Sequence, residues 1–373
     1  MWWAQTQCDF VANAPEKKQV QLLSMNSVSI SNTLRSRRSW LVLQLAASVL
    51  VGGLALLWAI RGLDASAVLS EVQHAEYGWI IAAFLCTTLV AFIKVERWRT
   101  LYPIGDQPVP FSDAFSALLV TQMVNVIVPI RGGEMVRIGL MKQSGQPGAT
   151  TLSTITVEKT LDLVAASLVA VSLVVLAVAP DWLQRWSGTA LVLGFVLLGG
   201  IVAMWALREP LTRVVERLLA FRGWLPERLR TRLTRIFRTM LDAFGVLTTR
   251  RALVRVLVWT LLVWVFSPLA MFALFIAFDL NLPFTAAIVL MLALTFSNIV
   301  PSSLALIGIV QAIVIVVLGE YGVNQSVALA LGIILNVVVV APLVVMGGIG
   351  LWMRAVELVA WREKNRTRRT EGE

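Results

Sequence analysis

Charge is scarce in this 373-residue chain: Asp, Glu, Lys and Arg together make up 14% against 58% hydrophobic residues, where a soluble domain carries about 25% charged. That shortage excludes water as the only solvent. There are two cysteines, Cys8 and Cys86, with no CxxC or Cys/His cluster, which excludes a disulfide framework and a zinc site. The lone histidine, His74, lies in a predicted outer loop, and no HExxH, GxSxG, P-loop or DxD pattern occurs. Enzymatic chemistry, a metal and a cofactor are therefore not expected.

What remains is a series of uncharged apolar runs. Several approach the roughly 20 residues that cross about 30 Å of hydrocarbon, where runs this long must be helical to satisfy their backbone. Spans are predicted at Trp40–Ile60, Trp79–Ile93, Leu152–Ala179, Ala190–Ala206, Val256–Phe278 and Ser326–Trp352. Broken stretches are expected at Phe111–Ile130 and at Phe284–Val300 with Leu304–Leu318. Tryptophans at 40, 58, 79 and 98 mark the ends of the first two spans, as rings that favour the headgroup layer do.

The net charge of +10 resides between spans and at the chain ends, so it reads as a topology signal rather than a nucleic-acid surface. With the basic N-terminus inside, only Arg61 and Arg185 are basic in the outer loops, and both termini are placed in the cytoplasm of a cell with an inner membrane. Residues 207–255 hold twelve arginines against four acids, with apolar residues at helical spacing. Two cationic amphipathic helices, suited to an anionic leaflet or to a hairpin packed on the protein's own base, are expected there.

Pro110-Phe111-Ser112 opens a stretch ending Asn125-Val-Ile-Val-Pro129, and Pro283-Phe284-Thr285 opens one ending Asn298-Ile-Val-Pro301. Counting crossings, the first copy begins inside and the second outside, which is the plan of an inverted repeat. The fold expected is an all-α polytopic bundle of about six full spans plus two re-entrant hairpins, or eight or more spans. Its parts are a tail at 1–38, a first repeat at 39–180, a second at 181–353 with the cationic insertion at 207–254, and a basic tail at 354–373.

Ionisable residues at membrane depth cost roughly 2.5 to 3.5 kcal/mol each and mark function. Arg131, Glu134 and Arg137 are three apart; Glu158 and Asp162 form an i, i+4 pair beside Lys159. Two carboxylates at that spacing need a cation or a proton, and Arg131, Arg137 and Lys159 are the candidates. One reading is a self-neutralising structural network. The other is that an arginine grips a lipid phosphate with paired hydrogen bonds, while Gly132 and Gly133 let the backbone approach the headgroup.

On Arg61-Gly-Leu-Asp64, Arg97-Trp98-Arg99, Pro129-Ile-Arg131-Gly-Gly-Glu134-Met-Val-Arg137 and Val157-Glu158-Lys159-Thr-Leu-Asp162, the chain resembles the lysylphosphatidylglycerol synthase transmembrane-region family of flippase-like proteins. The resemblance implies lipid translocation, with Asn298, Pro301, Gly308 and Gln311 on a second-repeat pathway. Gln311 stands where the family usually has a carboxylate, and the breaker residues around it are missing. Some members carry a soluble aminoacyltransferase domain; the chain stops about twenty residues after its last span, so only the translocation half is expected. The leading expectation is therefore movement of a phospholipid or polyprenyl-linked lipid. A membrane subunit of a glycolipid or polyprenyl transferase system, with a transferase partner, and a proton-coupled solute exporter are the alternatives.

Overall fold

The computed structural model describes residues 65–102, 109–127, 132–175, 250–297 and 306–370. These form nine helices and no strand: α1 Ala65–His74, α2 Tyr77–Arg99, α3 Phe111–Ile127, α4 Gly133–Gln143, α5 Gly148–Val175, α6 Arg250–Ala277, α7 Phe284–Ser297, α8 Leu306–Gly319 and α9 Gln325–Thr370. The expected first span, the span at 190–206 and nearly all of the cationic insertion lie outside the described residues.

Three helical segments are long and apolar enough to cross a membrane: Tyr77–Arg99, Arg250–Ala277 and Gln325–Val356. A helix apolar all round belongs in lipid or in a large core, and the exposed Ile81, Leu85, Leu261, Val337 and Val345 on them face lipid in that reading. At 28 residues α5 is as long as α6, but Glu158, Lys159 and Asp162 interrupt its apolar run. The expected span at 79–93 extends through Arg99, and α9 continues as helix through the expected basic tail to Thr370.

Both α3 and α7 start immediately after a proline, Pro110 and Pro283, whose carbonyls accept from the amides of Ala114 and Ala286 at 3.2 and 2.9 Å. Proline suits this position because its missing N–H is one that a helix start leaves unpaired. Both α4 and α8 are closed by a glycine at positive φ, Gly145 (83°) and Gly322 (77°). The next residue's amide reaches back: Gln146 to the Met141 carbonyl at 2.9 Å, Val323 to that of Leu318 at 3.1 Å. A left-handed residue here satisfies the last carbonyls and stops the helix, and glycine adopts it without strain.

Packing crosses between the two halves of the chain. Helix α2 lies along α6, α3 along α9, and α5 against α7, while α9 touches α2 and α5 touches α6. The Glu76 amide donates to the Ala277 carbonyl at 2.8 Å, so α2 begins where α6 ends and the two run antiparallel. Small residues permit the α3–α9 approach, as at membrane helix contacts generally. A Cβ on Gly347 would lie 2.6 Å from Met123 Cβ, and one on Gly350 would lie 3.0 Å from Ser116 Cα. One apolar core gathers Leu274, Phe275, Leu290, Leu318 and Leu331. A second gathers Val95, Trp98, Leu118, Leu119, Met141 and Val157, and the charged site lies beside it.

Candidate functional site

Helices α2, α4 and α5 bring the site together. Arg97 comes from the last turn of α2, Arg137 from the second turn of α4, and Glu158 with Asp162 from successive turns of α5. Glu158 is ten residues into α5, about 15 Å along its axis at 1.5 Å per residue. Arg97, Arg137 and Glu158 are 0%, 3% and 4% exposed, so each requires a counter-charge.

They supply it to one another. Arg97 Nη1 donates to Asp162 Oδ1 at 2.6 Å, and Arg137 Nη1 to Glu158 Oε2 at 2.7 Å. Glu158 Oε1 stands 3.7 Å from Arg97 Nη2, so its carboxylate bridges the two guanidiniums. The i, i+4 carboxylates expected to repel are thus held by cations from two other helices. Asp162 is the member that reaches the surface, its side chain 33% exposed.

Trp98 fixes the orientation of Arg137. The guanidinium carbon lies 3.6 Å from the ring centre of Trp98, a cation–π stack. The indole N–H donates to Thr154 Oγ1 at 3.2 Å, and Tyr102, edge-on to the same ring at 5.2 Å between centroids, donates its hydroxyl to Thr151 Oγ1 at 3.1 Å. Burial raises the Tyr102 phenol above its ordinary range, so it stays a hydrogen-bond donor at neutral pH. Trp98 is 0% exposed and belongs to this site, not to a surface belt.

The sequence-predicted residues divide as follows. Arg137, Glu158 and Asp162 meet. Arg131, Asn298 and Pro301 lie outside the described residues. Lys159 lies on the exposed side of α5, within electrostatic range of Glu158 but without an ion pair to it. Glu134 is directed to α3, where Asn125 Nδ2 donates to its Oε1 at 3.4 Å. Gly132 is half-buried, and Gly133 is buried against α3. The Gly133 amide donates to Asn125 Oδ1 at 3.0 Å, and a Cβ would lie 2.5 Å from the Thr121 carbonyl oxygen, so its close approach is to the protein's own backbone.

On the second half, Gly308 is buried, and Gln311 is 3% exposed with Oε1 lacking a partner. Sequence reasoning missed Arg97 as a site residue, together with Lys94 one turn before it, which is half-buried and within electrostatic range of Asp162 and Glu158. The available signal was their i, i+3 spacing at the end of a span, where bases are ordinarily read as topology markers. Among the described residues no cluster of three His, Cys, Asp or Glu side chains is placed to hold a metal ion.

This is an α-helical integral membrane protein with a buried ion-pair network among three helices. A family model for the lysylphosphatidylglycerol synthase TM region matches residues 45–347, and the chain belongs to that family. Comparison with curated proteins and with solved structures gives no match.

Proposed function

We propose that the chain translocates the headgroup of a phospholipid or lipid-linked glycoside across the bacterial inner membrane, without catalysing a covalent step. The observation that carries the reading is the ion network of Arg97, Arg137, Glu158 and Asp162, sunk between helices and reaching the surface at Asp162. Charges this expensive to bury are not needed to hold three apolar helices together. Acyl chains would stay in the bilayer while the headgroup passes along the seam between halves.

An inverted repeat as the scaffold is supported by the helix pairing. Exchange α2 with α6, α3 with α7, α4 with α8 and α5 with α9, and α3–α9 becomes α7–α5, α2–α9 becomes α6–α5, and α2–α6 maps on itself; each pair is in contact. Proline starts of α3 and α7 and glycine stops of α4 and α8 obey the same exchange. Such architecture places a pathway at the interface of the halves. Both termini are assigned to the cytoplasm.

Reconstitution into liposomes tests the reading. Headgroup movement of at least one defined phospholipid or polyprenyl-linked lipid, faster than in protein-free vesicles with or without a pH gradient, is expected. No movement for any lipid would reject it and favour a membrane subunit serving a transferase.

A further inference from the structure

The exchange that maps one half on the other makes two seams equivalent, α3–α9 and α7–α5, yet they are built differently. On α3–α9 the backbones meet. A Cβ on Gly347 would lie 2.6 Å from Met123 Cβ and 2.9 Å from the Leu119 carbonyl oxygen, and one on Gly350 would lie 3.0 Å from Ser116 Cα. Arg354 clasps the end of this seam: its Nη1 stands 3.1 Å from Asp113 Oδ1, and its Nη2 donates to Ser144 Oγ at 2.8 Å.

Carried across from Pro110 to Pro283, Asp113 and Ser116 become Ala286 and Val289. Carried across from Gly322 to Gly145, Gly347, Gly350 and Arg354 become Ala170, Leu173 and Ala177. The second seam thus has larger side chains where the first has glycine, and two alanines where the first has its clasp. Accordingly α5 touches α7 only lightly.

Opening the two seams costs different amounts. Parting α3 from α9 separates backbones packed too closely for a lipid chain to take their place, and breaks a largely buried ion pair, leaving both charges uncompensated. Parting α5 from α7 exchanges packing in the apolar core of Leu173, Val289 and Leu290 for packing against lipid tails, which are as apolar as leucine. The second seam also continues from the ion network. Asp162, Ala166, Val169 and Leu173 recur at i, i+4, i+7 and i+11, one face of α5. Leu173 lies about 17 Å along the axis from Asp162, the member of the network that reaches the surface.

We infer that the α5–α7 seam is the lateral opening that receives the acyl chains of a membrane lipid, and that α3–α9 stays shut. The inference rests on the headgroup reading above and adds which of the two seams the lipid uses.

Two readouts on the purified full chain, carrying Cys8→Ala and Cys86→Ala, test this. The first needs no crossing: a bimane on Leu173→Cys or on Met346→Cys is exposed, in nanodiscs, to phosphatidylglycerol with a doxyl quencher on its acyl chain. Leu173 and Met346 are each 6% exposed, Leu173 in a core with Val289 of α7 and Met346 in a core with Leu119 of α3, so burial alone gives equal quenching. Loss of fluorescence is expected at 173 and not at 346. Equal loss at both, loss at 346 alone, or loss at neither would overturn the inference.

The second readout locks each seam. Ser116→Cys with Gly350→Cys places two Cβ atoms 3.6 Å apart, within disulfide range, and oxidation is expected to leave headgroup crossing at the unlinked rate. Leu173→Cys with Val289→Cys, joined by oxidation or by a flexible bismaleimide, is expected to stop crossing, and reduction of the disulfide to restore it. Crossing stopped by the α3–α9 bond, crossing undiminished in the linked α5–α7 pair, or a 173/289 pair that neither reagent joins would overturn the inference. Quenching decides alone if the glycine variant does not fold. A native chain that moves no headgroup sinks the proposed function, while quenching at 173 stands or falls by itself.

Discussion

Replacing Glu158 with Gln removes one charge and almost no volume. In the native protein this carboxylate accepts from Arg137 at 2.7 Å and stands 3.7 Å from Arg97, with the arginine side chains 4% and 0% exposed. Removing one partner of a buried pair costs about 3 to 5 kcal/mol, because the other charge is left uncompensated. Arg97 retains Asp162 at 2.6 Å, so the loss falls on Arg137 and the lower end, about 3 kcal/mol, is expected. Asp162→Asn should cost less, about 2 kcal/mol, since its side chain is a third exposed and the buried Arg97 keeps Glu158 at 3.7 Å. Denaturant unfolding of the purified chain in mixed micelles measures both, and a cycle with Arg137→Gln should return a coupling of about 2 kcal/mol between 137 and 158. Equal losses from Glu158→Gln and Asp162→Asn, or no coupling in the cycle, would refute the network as described.

Other positions give independent checks. Gly133→Ala should lower the yield of folded protein in size-exclusion chromatography, because a Cβ would lie 2.5 Å from the Thr121 carbonyl and 2.6 Å from Asn125 Oδ1. Gly347→Ala should destabilise by separating α3 from α9, whereas Gly348→Ala, which meets nothing within 4 Å, should be neutral or gain up to about 1 kcal/mol of helix propensity; thermal melts of the pair compare them. Trp98→Phe should cost about 1 to 2 kcal/mol through the lost indole bond to Thr154 and a weaker stack on Arg137, read by the same unfolding assay. Asp113→Asn should weaken the tie at 3.1 Å from Arg354 near the membrane end of α9 to the start of α3, and faster proteolysis of the α9 extension would register it.

Much of the scaffold was legible because lipid imposes a coarse grammar: an uncharged run long enough to cross becomes a helix, and Pro110 and Pro283 punctuate it. Helix ends were less legible. Arg97 and Arg99 looked like the margin of a span, yet the helix runs through both, since α5 offers Asp162 to Arg97 and Glu96 offers its carboxylate to Arg99 at 2.6 Å. Within the site, spacing along one helix identified Glu158 with Asp162 but not what neutralises them, because the partners are 65 and 21 residues away on other helices. Lys159, adjacent in sequence, turns to the exposed side of α5. Gly133 shows the same limit: its small size was legible, while the neighbour requiring it, α3, was not.

The central claim is that the arginine network guides a headgroup across the bilayer. The rate of headgroup crossing in proteoliposomes tests it most directly, comparing the native chain with Arg137→Lys and with Lys159→Ala on the exposed face. The account predicts crossing by the native chain and by Lys159→Ala, and at least about tenfold slower crossing by Arg137→Lys, which keeps the charge and loses the guanidinium's paired donors. Rates in all three no faster than in protein-free vesicles, or an Arg137→Lys rate equal to the native one, would contradict it.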